Sequence, residues 1–388
     1  MHFSTRIFTV GINSSFSDDE KMNAIDNKIL VVHTDWSRAY GGQEIRILTE
    51  LREIGKLGFA TGLIVPEKSE LARRGKEEGI PVYPVAFKSK FSISSWLALF
   101  RVLRKIRPDI VNTHSSEDSW MAGFASRLCG VPLVTRTRHV LAPIFSAVSY
   151  NIFPHVIFAC SEAIRNQLID QGVKPSRIVV QSTGIDEQRF QFSPEDRKEI
   201  RSRYGIGEDD ILVGNIAFLR HYKGHPFIIN TAASMPEKFK FMIVGGGGEL
   251  AKLQAMVKAA GIGDRVFFTG HQEQPEKYFS AFDLVFFSSY ESEGISQSFI
   301  QGLLYGLPVL LCRVPSLLEP LDAVDAYEII DYNDVESACK ALKSLSKKRH
   351  RDKEHIAAQR RAIIKKYGLK AMMENILSIY ERFGIRRS

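Results

Sequence analysis

Cysteine is scarce in this sequence, and no two cysteines stand close together. They are far apart and mostly inside apolar runs: Cys129, Cys160, Cys312 and Cys339. This spacing argues against a disulfide framework or a zinc site and predicts a protein of a reducing compartment. The sequence also lacks a Walker loop, a Gly-x-Ser-x-Gly elbow and an Asp-x-Asp pair. P-loop nucleotide hydrolysis, esterase chemistry and metal binding through Asp-x-Asp are therefore not indicated.

Long apolar runs and a strong charge imbalance are missing too. No run approaches the roughly 18–20 apolar residues of a membrane-spanning helix. The formal net charge of +8 over 388 residues is modest. Neither half of the chain clusters its basic residues as strongly as a dedicated nucleic-acid binder does, so we predict no nucleic-acid partner. A hydrophobic content of 44% and this length indicate a globular chain of two or three domains.

The first 27 residues contain only a short apolar segment, and polar residues interrupt it. Such a segment does not make a signal peptide. We interpret 1–27 as an N-terminal extension, either disordered or, up to residue 21, misassigned.

The rest of the chain alternates apolar strand patterns with amphipathic helix patterns. The predicted strands of the first series are Lys28–His33, Thr61–Val65, Val82–Val85, Asp109–Thr113, Leu133–Thr137, Val156–Ala159 and Ile178–Val180. Those of the second series are Ile211–Ala217, Phe241–Val244, Val266–Phe268, Leu284–Phe287 and Val309–Cys312. Strands alternating with helices predict an α/β fold with two doubly wound, Rossmann-like domains. We place them at 28–189 and 190–368, followed by an amphipathic helix in 369–388.

One strand–loop–helix–strand unit spans 284–312. After the strand Leu284–Phe287, a polar loop ends at Glu293 and Gly294, and a helix capped by Ser296 or Ser298 follows. In open α/β sheets ligands lie at the carboxyl ends of strands, and helix N–H groups there favour an anion such as a diphosphate.

Glycine-rich turns follow other predicted strands. Gly41-Gly42 precedes a helix, and backbone N–H groups can approach a ligand at such a turn. The run Gly245–Gly248 could be a dinucleotide fingerprint, but Leu250 stands at the third glycine position and no acidic residue ends the following strand. An NAD-dependent dehydrogenase is therefore disfavoured.

Cations follow the strand Ile211–Ala217. Arg220 and Lys223 are separated by two residues and precede a helix, a pattern suited to a pyrophosphate. Taken alone, it fits a solvated basic turn better. After other strand ends stand His114, Arg138 and His139; a histidine there is either a local hydrogen-bonding residue or a catalyst.

The stretch Lys88–Arg107 holds six basic residues and no acidic ones, interspersed with aromatic and aliphatic residues. It is either an ordinary crossover helix with a solvated basic face or an amphipathic face on anionic lipid.

Several of these motifs, in the same order, resemble the retaining glycosyltransferases of the double-Rossmann GT-B type, in particular the large "glycosyl transferases group 1" set of family four. The matching segments are Gly41-Gly42-x-Glu44, the Arg220…Lys223-Gly pair, the Val-Gly-x-Gly turn at Gly245 and Gly247, Glu293-Gly294 and Gly306-Leu-Pro-Val. The resemblance covers about 28–383 and implies an active site between the two domains, with the last helix returning to the first domain.

The resemblance also implies roles for residues. It implies catalytic roles for His114, Glu293, Arg220 and Lys223. The implied donor-binding residues are Arg220, Lys223, Gly245, Gly247, Glu293, Gly294, Ile295, Ser296 and Gln301. The implied acceptor-side residues are Gly41, Gly42, Glu44, Arg138 and His139. Gln301 departs from the family pattern, because a ribose-binding Glu usually stands there.

The implied reaction is metal-independent transfer of a sugar from a UDP- or GDP-linked donor to a glycan or lipid-linked acceptor. No cofactor is expected. The implied location is cytoplasmic, with 88–107 as a peripheral contact to the inner face of the membrane, and the implied process is lipopolysaccharide or other cell-envelope synthesis. The alternatives are a nucleotide-sugar epimerase of the same fold and a non-catalytic nucleotide-sugar binding protein.

Overall fold

The computed structural model describes residues 28–89, 91–290, 294–349 and 352–386. Within them, the first domain contains a parallel sheet with strand order β3-β2-β1-β4-β5-β6-β7. Its strands are β1 Leu30–Thr34, β2 Ala60–Val65, β3 Val82–Pro84, β4 Ile110–Thr113, β5 Leu133–Arg138, β6 Val156–Ala159 and β7 Ile178–Val180. Its helices are α1 Gly42–Lys56, α2 Glu70–Glu77, α3 Ile93–Ile106, α4 Ser116–Leu128, α5 Val148–Ile152 and α6 Glu162–Asp170.

The second domain is built around a parallel sheet with strand order β10-β9-β8-β11-β12-β13. Its strands are β8 Ile211–Ile216, β9 Phe239–Val244, β10 Val266–Gly270, β11 Leu284–Phe287, β12 Val309–Cys312 and β13 Tyr327–Ile330. The remaining helices are α7 Pro194–Arg203, α8 His225–Ser234, α9 Leu250–Ala259, α10 Pro275–Ala281, α11 Gln297–Leu304, α12 Pro315–Leu318, α13 Val335–Ser346, α14 Lys353–Tyr367 and α15 Leu369–Arg382. The predicted α/β fold with two Rossmann-like domains is confirmed.

The strand β11 is apolar on both faces because helices cover both faces of its sheet. In β11, Leu284 and Phe286 enter the cluster on one side, and Val285 and Phe287 enter the cluster on the other. Each such side chain contributes about 1.5–3 kcal/mol when fully buried. Continuous apolar runs therefore form strands here without the polar alternation of a half-exposed sheet.

The chain passes between the domains at two places that lie side by side. The Ile185 N–H donates to the Tyr367 carbonyl at 2.8 Å, and the Leu369 N–H donates to the Ile185 carbonyl at 3.2 Å. Beyond this point α15 packs into the core of the first domain, where Ile376 and Tyr380 lie in one cluster with residues of α1.

Most strands differ from their predicted bounds by one or two residues, and two further differences affect predicted functional residues. Helix α3 begins after its cap at Ser92, so residues 88–92 of the predicted basic helix precede it. Strand β5 continues to Arg138, so Arg138 lies inside a strand. No helix in the described part of the chain is long and apolar enough to cross a membrane.

Candidate active site

A cavity of about 520 Å³ lies where the carboxyl ends of the two sheets face each other. Both domains line it. The lining includes Trp36, Gly41, Gly42, Gln43, Glu44, His139, Val140, Cys160, Phe218, Arg220, Tyr222, Lys223, Gly245, Gly246, His271, Gly294, Ile295, Ser296, Gln297 and Gln301. The strand order reverses between β1 and β4 in one sheet and between β8 and β11 in the other. Loops at such reversals form ligand crevices, and most of the predicted residues belong to these loops.

The cations Arg220 and Lys223 follow β8 and both line the cavity. Arg220 is exposed, and its Nη1 lies 3.3 Å from the Tyr222 hydroxyl. The turn ends at Gly224 with φ +69°, and a Cβ there would stand 2.0 Å from the Ser288 carbonyl oxygen. Glycine is therefore required for the loop after β8 to pack against the loop after β11.

The glycines after β9 serve the packing of the second domain. A Cβ on Gly245 would stand 2.0 Å from the Ala217 carbonyl oxygen, and one on Gly247 would stand 2.6 Å from the Leu219 carbonyl oxygen. Gly245 lines the cavity but Gly247 does not. Their absent side chains let this turn lie beside the loop that carries Arg220.

Residues at the amino end of α11 line the same cavity. Gly294, Ile295 and Ser296 line it, and Gln301 lines it one turn further along the helix. No side chain caps the first N–H groups of α11 among the described residues, so they are available to an anion. Glu293, predicted to contact the donor sugar, lies outside the described residues.

The first-domain wall begins at the Gly-Gly turn before α1. Glu44 accepts a hydrogen bond from the Gly41 N–H at 2.7 Å, so its carboxylate caps the helix while it lines the cavity. Gln297 of α11 donates to the Gly42 carbonyl at 2.9 Å. The two domains thus touch directly at the predicted acceptor-side glycines.

A second contact between the domains joins Gly294 to His139. A Cβ on Gly294 would stand 2.0 Å from the His139 carbonyl oxygen. That separation is far below a possible carbon–oxygen contact, so only glycine permits the observed approach of the two walls.

His114 does not line the cavity, although the resemblance implies that it borders the donor sugar. It is buried behind His139: the two rings join through His114 Nδ1 and His139 Nε2 at 2.9 Å. On the other side, His114 Nε2 lies 2.9 Å from Nδ1 of His33. The imidazole on the cavity wall is that of His139, and His114 holds it in place.

The three imidazoles end at the buried carboxylate of Glu50. His33 Nε2 lies 3.5 Å from Glu50 Oε1, and burial lowers the pKa of His33, His114 and His139. A neutral imidazole carries one donor and one acceptor nitrogen. Each ring-to-ring contact therefore holds one proton, so the tautomers of the three imidazoles are linked along the row.

Arg138 is also buried rather than exposed to the cavity. Its Nη1 donates to the Tyr150 hydroxyl at 2.6 Å, and its Nη2 donates to the Ala142 carbonyl. It therefore lies beneath the loop that follows His139, outside the predicted acceptor position.

A cluster of buried carboxyl groups lies below the Gly-Gly turn. Burial, followed by the charges of Asp118 and Glu44, raises the pKa of Asp35 to about 8. Oδ1 of Asp35 accepts from Gln43 Nε2 at 3.1 Å, while Oδ2 has no hydrogen-bond partner among the described residues. Asp35 is therefore protonated at neutral pH, because a second ionised carboxylate beside Glu44 would be unfavourable.

We expect this proton to make stability fall between about pH 6.5 and pH 8. The folded pKa of Asp35 is raised from 3.8 to about 8, so its contribution is lost as pH rises towards 8. Burial lowers the pKa values of the histidines, so their effect on stability has the opposite sign. That effect is confined to pH values below about 6.5. Between about pH 6.5 and pH 8, the free energy of unfolding measured with denaturant should fall by about 1–2 kcal/mol. The Asp35→Asn variant should not show this fall. The exposed Asp170→Asn control should keep the loss, and an unchanged slope in Asp35→Asn would contradict the protonated carboxyl.

Other cavity residues were not predicted. Gln297 stands next to predicted Ser296, but no sequence signal shows that it reaches Gly42. Phe218 and His271 each follow a predicted strand. That position is the sequence signal that could have identified them as residues of the site. Cys160 directly follows β6, and its Sγ lies 3.7 Å from His139 Nδ1.

Two family models match the chain. "Glycosyltransferase Family 4" matches residues 40–189, and "Glycosyl transferases group 1" matches residues 196–368. Together they cover most of the residues that line the cavity.

One curated relative is the O-antigen biosynthesis glycosyltransferase WclY of Escherichia coli. It is 31% identical over 122 residues, which are 31% of this chain and 34% of WclY. The alignment thus spans about a third of the length of that relative.

Solved structures show the same fold over nearly the whole chain. A glycosyltransferase from Rickettsia africae aligns with a TM-score of 0.82 at 16% identity, covering 93% of this chain and all of that one. HepE from Anabaena in complex with UDP-glucose aligns with a TM-score of 0.81 at 17% identity, covering 91% and 100%. With both domains matched by family models and the fold shared, the chain belongs to the GT-B glycosyltransferases related to family four.

Proposed function

We propose that the chain is a retaining glycosyltransferase that moves a sugar from a UDP- or GDP-linked donor to a glycan or lipid-linked acceptor. The observation that carries this proposal is one cavity that brings together Arg220, Lys223 and the amino end of α11. These groups supply positive charge and N–H donors on one wall, which suits a diphosphate. HepE, whose structure contains UDP-glucose, supports a UDP-linked donor.

The proposed acceptor is inferred from one relative, WclY, and from the first-domain wall of the cavity. WclY is named for O-antigen biosynthesis, which supports a role in lipopolysaccharide or other cell-envelope glycans. The first-domain wall offers Glu44 and Gln43 as partners for hydroxyl groups and Trp36 as a flat apolar surface. A polyhydroxylated acceptor fits these groups.

The proposed reaction is a front-face displacement without a metal ion or other cofactor. The bond from the sugar C1 to the leaving phosphate oxygen breaks, and a bond from the acceptor oxygen to C1 forms on the same face. The acceptor proton passes to the leaving phosphate. Arg220 and Lys223 stabilise the diphosphate charge, which is the largest charge that develops.

The resemblance assigns His114 and Glu293 to the sugar side of this reaction. Glu293 lies outside the described residues. Because His114 lies behind His139, its contribution would be to orient the His139 ring.

Gln301 favours one alternative, a nucleotide-sugar binding protein without turnover. A carboxylate at this position would accept two ribose hydroxyl hydrogen bonds of roughly 1.5–3 kcal/mol each, whereas a neutral amide offers roughly 0.5–1.5 kcal/mol. Gln301 still faces the cavity and can accept one bond and donate another. We therefore favour a working transferase.

A cytoplasmic location with peripheral contact to anionic lipid is part of the proposal. Helix α3 exposes Ile93 and Leu97, and Arg101, Arg104 and Lys105 are exposed on the same helix. Apolar side chains among cations suit an anionic membrane surface. Binding to phosphatidylglycerol vesicles that weakens with added salt would support this contact.

The test of the proposed function is thermal unfolding with a panel of UDP-, GDP-, ADP- and CMP-sugars, with donor hydrolysis followed in the same samples. We expect one nucleotide class to raise the unfolding temperature and to be released as its diphosphate. A saturating ligand at about 100 times its dissociation constant stabilises by about 2.7 kcal/mol, which such scans resolve.

The other outcomes separate the alternatives. Conversion of the donor sugar without an acceptor would identify an epimerase. Stabilisation without turnover, together with a large gain of turnover in Gln301→Glu, would identify a binding protein derived from an enzyme. No stabilisation by any nucleotide sugar would contradict the donor assignment.

A further inference from the structure

A loop of the second domain is bound by two arginines from outside that domain. This β10–α10 loop consists of residues 271–274, and its first residue, His271, lines the cavity. Arg74 of α2 in the first domain donates from Nη2 to Oε1 of Glu273 at 3.1 Å. Arg189, which lies between β7 and α7, donates to the Glu273 carbonyl at 2.7 Å. The conformation of this part of the cavity wall therefore depends on where the first domain lies.

Hydrogen bonds connect Arg74 to a side chain of the cavity. The Oε1 atom of Glu273 that accepts from Arg74 also lies 3.3 Å from Nε2 of His271. Because a carboxylate only accepts hydrogen bonds, Nε2 of His271 carries the proton of this contact. The hydrogen bonds from Arg74 and His271 lower the pKa of Glu273, so its carboxylate is ionised at neutral pH. Arg74 thus orients Glu273, and Glu273 orients the ring of His271.

On the first-domain side, Arg74 lies beside the Gly-Gly turn before α1. Its Cζ lies 4.3 Å from the ring centroid of Tyr40, the residue directly before Gly41. Tyr40 packs against the hydrophobic cluster that includes residues of α1 and α15. The Nε of Arg74 donates to Glu70 of its own helix at 2.9 Å. The guanidinium group is therefore oriented by contacts within the first domain and offers Nη2 to the second.

We propose that Arg74 is a positioning residue for donor binding, which acts through Glu273 on the β10–α10 loop and on His271. The loop adjoins the glycine turn after β9, because the Gly245 N–H donates to the Gly270 carbonyl at 2.9 Å. It therefore belongs to the second-domain wall, which also carries the proposed diphosphate site. When the domains move apart, Glu273 loses Arg74 and the loop loses this support. The inference rests on the proposed function, since it gives Arg74 a role in binding the donor of that reaction.

An alternative is that Arg74 and Glu273 form an ordinary surface ion pair without a role in binding. Exposed ion pairs contribute little to folding, and the Glu273 side chain is 67% exposed. A small free energy is nevertheless sufficient here, because the pair joins two domains and is lost when they separate. A contact made in only one of two conformations shifts their populations by its full free energy. The pair can therefore control donor affinity while adding little to the stability of either domain.

The test measures UDP-glucose binding to the full chain by calorimetry and hydrolysis of UDP-glucose by the same samples. Arg74→Gln and Glu273→Gln should each raise the dissociation constant and KM by about three- to fivefold. The kcat should stay within about twofold of the wild type, because saturating donor holds the domains together. Arg74→Glu should raise the dissociation constant by about tenfold or more, since it places two carboxylates side by side. A role in folding alone would lower the unfolding temperature and the active fraction and leave KM unchanged.

Exchange of the two charges is the decisive variant. Arg74→Glu combined with Glu273→Arg should bind UDP-glucose at least about fivefold more tightly than Arg74→Glu alone, because the ion pair forms again in reverse. Arg73→Gln is the matched control. Arg73 is the neighbour of Arg74 on α2 and donates to Glu70 and Glu77 of its own helix, so this variant should bind as the wild type does.

The remaining outcomes separate this inference from the proposed function. Wild-type affinity and KM in both Arg74→Gln and Glu273→Gln would overturn the positioning role and leave the donor site in place. A loss in Arg74→Glu that Glu273→Arg does not reduce would also overturn it. An equal loss in Arg73→Gln would assign the effect to the net charge of α2 and overturn it too. If the wild type binds no UDP-glucose, the UDP-linked donor and this inference are both contradicted.

Discussion

Replacing Arg220 and Lys223 together by alanine is expected to reduce release of nucleoside diphosphate from the donor by about 10³-fold or more, with folding intact. Both side chains line the cavity, and the diphosphate charge develops only as the sugar leaves. Removing one preorganised donor to such a charge typically costs about 10²–10³-fold in rate. Because both side chains belong to a loop outside the hydrophobic clusters, the temperature of unfolding without ligand should change little.

The control for this variant is Lys258→Ala with Arg361→Ala, which removes the same charges from exposed positions of α9 and α14. It should retain full activity. Arg220→Lys should fall between, because it keeps the charge but loses the planar fork of a guanidinium. An unimpaired double alanine variant would show that the diphosphate lies elsewhere.

Substitution of Gly294 by alanine is expected to lower activity by about 10²-fold or more, because it prevents the close approach of the two domains. The new methyl group would stand 2.0 Å from the His139 carbonyl oxygen of the other domain. Within its own domain it meets no comparable obstacle, so the domains can relieve the overlap by moving apart. A displacement of about 1 Å in the reacting groups is enough for a loss of this size. Small-angle scattering should report a larger radius of gyration than in the wild type.

A graded series of glycines checks the cause. Gly248→Ala places its Cβ in open space, and Gly42→Ala places it 3.7 Å from Gln297 Nε2, an ordinary contact. We expect wild-type activity in the first and at most a small loss in the second. Equal losses in all three variants would contradict a steric origin, as would a Gly294→Ala variant with wild-type activity and dimensions.

The second sheet illustrates what the sequence could predict. Leu284–Phe287 and Val309–Cys312 were predicted with their observed bounds because each is a continuous apolar run ended by a polar or glycine-containing loop. β13 was not predicted, since Tyr327–Ile330 includes Glu328 and is partly exposed at the sheet edge. An edge strand is covered less completely, so its pattern is weaker.

The site was predicted best where strand order alone positions a loop. Arg220, Lys223 and Gln301 line the cavity because the loops that follow β8 and β11 must meet where the strand order reverses. Strand order does not determine the direction in which a side chain points. Whether His114 faces the cavity or the core depends on His33 and Glu50, which belong to distant parts of the sequence.

The prediction that Arg138 lies on the acceptor side assumed that β5 ends at Thr137. One more strand residue puts Arg136 and Arg138 on the face that also carries buried Val134. The period of two residues in a strand could have indicated this shared face. The partners Ser149 of Arg136 and Tyr150 of Arg138 could not have been found, because no sequence pattern links them to β5.

The packing of α15 on the first domain sets the order in which the chain can fold during synthesis. Met372, Ile376 and Tyr380 complete the cluster that contains Val31 and Ile47, yet the ribosome makes them after the whole second domain. A nascent first domain therefore presents an uncovered apolar face while some 180 further residues are translated, at about 5–20 residues per second. For that interval of roughly ten seconds or more, the newly made half of the chain is a natural client for a chaperone, and the second domain can finish folding before the first.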